Sequence, residues 1–110
     1  MPNYLPQKGD LIVLSFSPQS GHEQKGRRPA LVVSNDLFNK ATGLAIACPI
    51  TNTDRKIPFH VKLLSGSLTG FIMVEQVKSI DFKSRNAKFI EKASFKLLNE
   101  VLEILDTCIF

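Results

Sequence analysis

Short apolar runs, separated by polar segments rich in Gly, Pro, Asn and Ser, are the feature that most constrains the fold of this chain. Runs of this length are typical of β-strands joined by turns, because a helix needs a longer amphipathic segment to bury one face. The segment 34–43 begins with polar residues and predicts a turn or one short helical piece. The runs that predict strands are 11–16, 30–33, 44–50, 59–63, 71–74 and 77–82.

The apolar pattern changes towards the end of the chain. Leu98, Val101, Leu102 and Leu105 recur at helical spacing, and Ser94 is placed to cap the N-terminus of that helix. Short strands followed by one amphipathic helix describe a mainly β fold, a small and strongly curved barrel with a C-terminal α-helix packed on it. A length of 110 residues predicts a single domain that spans the whole chain.

Composition excludes several classes of protein. Hydrophobic residues make up 44% of the chain and charged residues 22%, as in ordinary globular proteins. The N-terminal residues lack the pattern of a signal peptide, and no apolar run approaches the roughly 20 residues that span a bilayer. Cys48 and Cys108 lie in apolar surroundings, which predicts buried or half-buried free thiols. A cytoplasmic protein without membrane contact is expected.

The formal net charge of +4 favours a polyanionic partner such as nucleic acid, although a basic surface can equally be merely solvated. Arg27 and Arg28 stand where the long polar segment 17–27 meets the second predicted strand, so the strand can anchor a guanidinium beside that loop. Arg binds phosphate through a planar fork of donors and stays charged at cellular pH. The alternatives are a surface salt bridge to Glu23 or a solvated pair.

Other polar residues could complete a phosphate site. Thr51 ends the third predicted strand and can project its hydroxyl from a rigid rim, or else cap a turn. Glu23 is a candidate general base or a partner of the Arg, while an exposed Glu without such a role is commoner. His22 ranks first as an exposed polar residue, and His60 is predicted to face solvent or an RNA groove.

Positive charge also gathers late in the predicted sheet, at Lys78, Lys83 and Arg85, with Phe82 as a candidate stacking surface. Cations beside aromatic faces bind single-stranded RNA, and a solvated strand face is the alternative. The chain has no glycine-rich phosphate motif, no HExxH and no carboxylate cluster for two magnesium ions. No metal site and no cofactor are therefore predicted, and a metal-dependent nuclease fits poorly.

Four segments, in their order and spacing, resemble the MazF/PemK (Kid) family of toxins from type II toxin–antitoxin systems. They are Gly-Asp-Leu-Ile at 9–12, Gly-Arg-Arg-Pro-Ala-Leu-Val-Val-Ser at 26–34, Pro-Ile-Thr at 49–51 and Glu-Gln-Val-Lys-Ser-Ile at 75–80. The resemblance runs from Lys8 through the terminal helix. It implies an SH3-like barrel, the PemK/CcdB toxin fold, in a two-fold homodimer with RNA across the interface.

The resemblance also implies a function. Members of this family are mRNA interferases, sequence-specific endoribonucleases that cleave single-stranded mRNA and stop translation. The 2′-hydroxyl of the RNA attacks the adjacent phosphate without a metal ion and leaves 2′,3′-cyclic phosphate and 5′-hydroxyl ends. The implied protein partner is a MazE-like antitoxin, whose acidic and disordered segment covers the basic groove.

Individual roles follow from matching positions. Arg28 matches the family's catalytic Arg, Thr51 its phosphate-contacting Thr, and Glu23 an acidic loop residue that acts as base or binds RNA. Asn52 departs from the family, whose members often carry Ser or Thr there. The residues assigned to RNA binding, some beside the polar loop and others at substrate-binding edges, are Gln24, Arg27, Gln76, Lys78 and Arg85.

Two other functions fit the same barrel, since one fold hosts several activities. A CcdB-like interaction module poisons DNA gyrase by protein contact, and that branch does not use the pair of Arg28 and Thr51 for cutting RNA. A non-catalytic RNA-binding barrel binds RNA in a salt-sensitive way that Arg28→Ala leaves unchanged in kind.

Overall fold

The computed structural model describes residues 4–15 and 27–110, in which a curled antiparallel sheet packs against a C-terminal helix. The predicted mainly β fold with a terminal helix is therefore confirmed. The described strands are β1 (Asp10–Ser15), β2 (Arg27–Val32), β3 (Leu44–Thr51), β4 (His60–Leu64), β5 (Thr69–Met73), β6 (Lys78–Asp81) and β7 (Lys88–Lys92). The helices are α1 (Asp36–Thr42) and α2 (Phe95–Ile109), and a 3₁₀ turn (Val74–Gln76) follows β5.

The sheet curls because β3 changes its partner along its length. The strand order is β4-β5-β3-β2-β1-β7, and β6 pairs with β3 outside this path. One edge of β3 pairs with β2, while the other pairs first with β6 and then, at Ile50 and Thr51, with β5. Both edges of this one strand are thus shared among three neighbours, and the result is an open half-barrel rather than a flat sheet.

Both faces of the sheet are buried. Successive residues of a strand point to opposite faces, so Leu31 and Val32 of β2 belong to different apolar clusters. Leu31 packs in the cluster that α2 covers, together with Val101 of that helix. Val32 packs in the cluster on the opposite face, which Tyr4 borders. Burial on both sides explains why the strand runs are almost continuously apolar instead of alternating.

The C-terminal helix begins as predicted. The Ser94 hydroxyl oxygen accepts a hydrogen bond from the backbone N–H of Leu97 at 3.1 Å, which satisfies one of the free donors of the first turn. Val101 is fully buried, and Leu98, Leu102 and Leu105 pack against the same cluster. No helix in the described part of the chain is long and apolar enough to cross a membrane.

The short element predicted within 34–43 is the helix α1. Asn35 caps it by accepting from the N–H of Phe38 at 2.9 Å, and Gly43 ends it in the left-handed conformation with φ 75°. Strand β7, by contrast, was not predicted. It is largely exposed, three of its side chains are charged, and it pairs with β1 across an irregularity between Leu11 and Ile12. Its pairing partner, not its own apolar pattern, makes it a strand.

The two cysteines differ in their exposure to solvent. Cys48 is a buried free thiol, as predicted, and burial together with the charge of Glu75 raises its pKa to about 12. Cys108 is exposed, so its predicted burial was wrong. It lies in the last turn of α2, beyond the residues of the helix that reach the core.

Candidate active site

An open cavity of about 230 Å³ lies where β2, β3 and the 3₁₀ turn meet. Its lining brings together four residues that sequence analysis selected from separate segments. These are Arg28, Thr51, Gln76 and Lys78, and the rest of the lining is Pro49, Ile50, Arg55 and Met73. A larger cavity of about 430 Å³, between β4 and the start of α2, contains none of the predicted site residues that the structure describes.

Adjacent strands bring Arg28 and Thr51 to one cavity. β2 and β3 pair from Val32 opposite Ala47 to Ala30 opposite Pro49. Arg28 lies two residues before this paired stretch on β2, and Thr51 lies two residues after it on β3. Both residues line the cavity, so a guanidinium and a hydroxyl share one small space.

Thr51 sits on a rigid rim. It follows Ile50, which is 3% exposed, and its own side chain is half-buried. The Thr51 hydroxyl oxygen accepts a hydrogen bond from the N–H of Thr53 at 3.2 Å, so the alternative role of capping a turn is also realised. Because a hydroxyl both accepts and donates, its hydrogen remains available for a phosphate oxygen.

Gly70 of β5 supports the backbone of Thr51 from the side. It adopts φ +149°, and a Cβ atom placed there would lie 2.8 Å from the carbonyl oxygen of Thr51. Side chains larger than hydrogen are therefore excluded at this point. The close approach lets β5 pair with the last residues of β3 and holds Thr51 in place.

The cavity is strongly basic. The Arg28 guanidinium is exposed, and no residue in 4–15 or 27–110 forms a hydrogen bond or ion pair with it. Arg55 and Lys78 add two more cations to the lining, which includes no carboxylate among the described residues. Three positive charges beside a hydroxyl suit a phosphodiester.

Arg55 was missed by sequence analysis, which interpreted the segment after Thr51 only as a polar connection. The signal that could have found it is a second Arg close behind the strand end that carries Thr51. Gln76 ends the 3₁₀ turn, and Lys78 begins β6 opposite Ala47 of β3. The lining thus depends on three separate connections of the sheet.

Arg27 and Arg85 lie elsewhere, around Ser15 at the end of β1. Arg27 donates to the carbonyl oxygen of Asn86 at 3.3 Å and, at the limit of hydrogen-bond length, to the Ser15 hydroxyl at 3.5 Å. Arg85 donates to the Ser15 carbonyl oxygen at 3.1 Å. We call this group the Ser15 cluster. Arg27 and Arg28 diverge because neighbouring strand residues point to opposite faces.

Other predicted residues lie outside the described part of the chain or are corrected by it. His22, Glu23 and Gln24 fall within the undescribed segment 16–26. The His60 side chain is only 2% exposed and bonds to Glu75, so its predicted exposure was wrong. Phe82 was expected to offer a stacking face, but it is 9% exposed because the cluster around Val32 buries it.

Potential ligands for a metal ion are scattered. Within the described ranges, no group of three or more His, Cys, Asp or Glu side chains is arranged to hold a metal ion. Asp10 is occupied structurally, since it accepts from Tyr4 and forms an ion pair with Lys92 at 2.6 Å. Burial, followed by the contact with Asp10, raises the pKa of Tyr4 far above its ordinary value.

Comparison with known proteins matches nearly the whole chain. Residues 7–109 match the family described as PemK-like, MazF-like toxin of type II toxin–antitoxin system. The chain is 40% identical over 84 residues to the endoribonuclease toxin MazF of Escherichia coli (strain K12), covering 76% of each protein. It is 36% identical over 106 residues to the endoribonuclease PemK of Escherichia coli, covering 92% of this chain and 80% of the relative.

Solved structures share the fold. Crystalline MazF (Form-I) from Deinococcus radiodurans superposes with a TM-score of 0.86 at 40% identity, covering 97% of this chain and 98% of that one. The toxin chain of MazE-MazF (Form-II) from the same organism also gives 0.86, at 34% identity and with 97% of both chains covered.

Proposed function

The chain belongs to the family of PemK-like, MazF-like toxins of type II toxin–antitoxin systems, and from this membership we infer that it is an endoribonuclease with Arg28 and Thr51 at its catalytic centre. We propose that it cuts single-stranded mRNA at a short recurrent sequence and so inhibits translation. The observation that carries the proposal is a basic cavity lined by both residues, which come from different strands.

In the proposed reaction the RNA supplies the nucleophile. The ribose 2′-oxygen forms a bond to the adjacent phosphorus while its hydrogen passes to a base, and the bond from phosphorus to the 5′-oxygen breaks as that oxygen takes up a proton. The products are a 2′,3′-cyclic phosphate and a 5′-hydroxyl. The protein then has only to align the reacting atoms and stabilise the additional negative charge, which needs no metal ion.

Each residue of the cavity has a proposed part in this reaction. The forked guanidinium of Arg28 donates to two oxygens of the pentavalent phosphate, and the Thr51 hydroxyl donates to another. Gln76, Lys78 and Arg55 hold the neighbouring nucleotides. Glu23, from the segment that the structure does not describe, is proposed as the base or as an RNA-binding group.

The remaining RNA contacts are proposed outside the cavity. Arg27 and Arg85 place two positive charges around Ser15, where a phosphate could bind, and Gln24 belongs to the segment between β1 and β2. RNA would extend from the cavity past the Ser15 cluster and, in a two-fold homodimer, across to the second copy. We place this activity in the cytoplasm, where mRNA is found.

Neutralisation is proposed to come from a cognate antitoxin. The relatives from Deinococcus radiodurans include complexes named MazE-MazF. An acidic, disordered segment of a MazE-like partner would compete with RNA for the cations of the cavity and become ordered there.

One experiment tests the class of reaction. The purified chain is incubated with a mixed RNA pool in excess EDTA, the cut sites are mapped, and both new ends are identified chemically. Cyclic phosphate and 5′-hydroxyl ends at a recurrent short sequence support the proposal. Cutting that requires magnesium, or products with 5′-phosphate ends, contradicts it. RNA binding without any cutting would favour the non-catalytic barrel instead.

A further inference from the structure

His60 is an unusually placed histidine. It is the first residue of β4, its side chain is 2% exposed, and its Nε2 lies 3.0 Å from Oε2 of Glu75. The other ring nitrogen, Nδ1, is buried without a hydrogen-bond partner in the described part of the chain. A buried polar atom without a partner destabilises the folded state, so the arrangement calls for a physical reason beyond filling space.

The hydrogen bond has a defined direction. A carboxylate accepts and does not donate, so the ring hydrogen lies on Nε2 and His60 donates to Glu75. In the neutral ring with its hydrogen on Nε2, Nδ1 carries only a lone pair, and an unused acceptor is less costly than an unused N–H in the same place. Glu75 keeps 30% of its side chain exposed, whereas the His60 side chain is almost fully buried.

This pair joins two segments that line the cavity. The connection that carries Arg55 ends at His60, whose N–H donates to the carbonyl oxygen of Ile57 at 3.1 Å. Glu75 is the middle residue of the 3₁₀ turn, directly before Gln76. A backbone bond of 3.1 Å from Val74 N–H to the carbonyl oxygen of Phe59 runs beside the side-chain bond. Together they tie the turn to the start of β4.

The 3₁₀ turn needs such a restraint. It is one turn long, it has no side-chain cap, and a backbone bond of 3.2 Å from Val77 N–H to the carbonyl oxygen of Val74 closes it. An isolated turn of this kind is marginal on its own. The direction in which Gln76 leaves the turn therefore depends on contacts made by Glu75.

We propose that His60 and Glu75 are a positioning pair for the RNA site: their hydrogen bond fixes the 3₁₀ turn so that Gln76 and Lys78 face the same cavity as Arg28. This inference rests on the proposed function. His60 and Glu75 are absent from the lining of the cavity, so they are positioning residues and not catalytic ones. Their loss should impair substrate binding far more than the chemical step.

The test compares His60→Leu with His60→Gln on an RNA oligonucleotide that carries the sequence cut by the wild-type protein. Leu removes the donor and keeps the apolar bulk, whereas the Gln amide nitrogen can take the place of Nε2. For His60→Leu we expect KM to rise about three- to tenfold with kcat changed less than about twofold, the size of one lost hydrogen bond. His60→Gln should restore most of the difference.

Glu75→Ala provides a second variant whose fold is less at risk, because this side chain is partly exposed. Removing a carboxylate near a polyanion should by itself lower KM, whereas loss of the positioning bond raises it. Glu75→Gln, which keeps an acceptor oxygen, is the matched control. Circular dichroism and the thermal midpoint accompany each kinetic measurement.

The outcomes separate the two proposals. A raised KM in folded His60→Leu and Glu75→Ala, with rescue by the Gln variants, supports the positioning pair. If the wild-type protein cuts RNA and Glu75→Ala has a KM no higher than that of Glu75→Gln, which lacks the same charge, the positioning pair is wrong while the nuclease stands. A wild-type protein that does not cut RNA overturns both.

Discussion

Two groups of cations, which contain the neighbouring residues Arg27 and Arg28, differ in what occupies their donors. In the Ser15 cluster, Arg27 and Arg85 donate to backbone carbonyl oxygens and so hold the end of β1 to the turn before β7. In the cavity, Arg28 makes no such bond to any described residue. Equal charge thus serves two purposes: the guanidinium groups that donate to carbonyl oxygens support the fold, and the one that has no partner among the described residues is placed to bind a ligand.

The largest expected loss of cleavage activity distinguishes Arg28 from its neighbour Arg27. Arg28→Ala is expected to reduce single-turnover cleavage by about 10²–10³-fold, as when one donor to a developing oxyanion is removed. Binding of uncut RNA should largely survive. Arg27→Ala is the matched control, with an expected loss of only about twofold through weaker substrate binding. Similar losses of cleavage in both variants would remove the distinction between the groups.

Substitutions at Thr51 test whether cleavage depends on its hydroxyl group or on the shape of its side chain. Thr51→Val keeps the branched shape and loses the hydroxyl, and should slow cleavage by about ten- to 10²-fold, the range for a hydrogen bond to a charged group. Thr51→Ser should recover most of the rate. A rate unchanged in Thr51→Val would exclude the proposed contact with phosphate.

Gly70→Ala tests the support behind Thr51. The new Cβ would meet the Thr51 carbonyl oxygen at 2.8 Å, so the end of β3 must shift. We expect a loss of about 1–3 kcal/mol in the free energy of unfolding, measured in urea, and about tenfold slower cleavage.

Gly43→Ala supplies the control for backbone strain. Gly43 also has positive φ, at 75°, but no atom lies within 4 Å of its would-be Cβ. The Gly43→Ala variant should lose about 1 kcal/mol in the free energy of unfolding, and its cleavage rate should not fall. An equal loss of activity in the two variants would point to general destabilisation.

The smallest expected effect, a weaker affinity for RNA, concerns Arg55. Arg55→Gln should weaken RNA binding and lower the slope of log affinity against log salt by about one, because one phosphate contact is lost. Lys96→Gln, which removes the same charge from the first turn of α2, should leave the slope nearly unchanged. Binding titrations at several salt concentrations measure both variants.

Sequence reasoning predicted the elements whose own residues determine them. The apolar runs of β2 and β3 are buried on both faces, and the helical spacing from Leu98 to Leu105 needs no partner to be recognised. Thr51 and Arg28 were identified because each stands at the end of such a run, in a segment that resembles a known family.

The features that sequence reasoning missed depend on contacts between distant segments. β7 is a strand because β1 pairs with it, and His60 is buried in a position where it bonds to Glu75 of a later segment. Phe82 is buried for the same kind of reason. Arg55 lines the cavity because of the path of an irregular connection, and such a path cannot be predicted from an apolar periodicity. In each case contacts with distant residues, and not the composition of the segment itself, determine whether the residue is paired, buried or part of the cavity.

The change of pairing strands along β3 bears on how the nuclease folds during its synthesis. The cavity joins Arg28, Thr51 and Lys78, and the sheet that carries them gains its edge strand β7 only when this late segment pairs with β1 near the start of the chain. Contacts of such long range form only after the entropy of ordering the intervening chain has been overcome. We therefore expect that a nascent polypeptide whose C-terminal strands are still within the ribosome has not yet completed the sheet on which the proposed site depends.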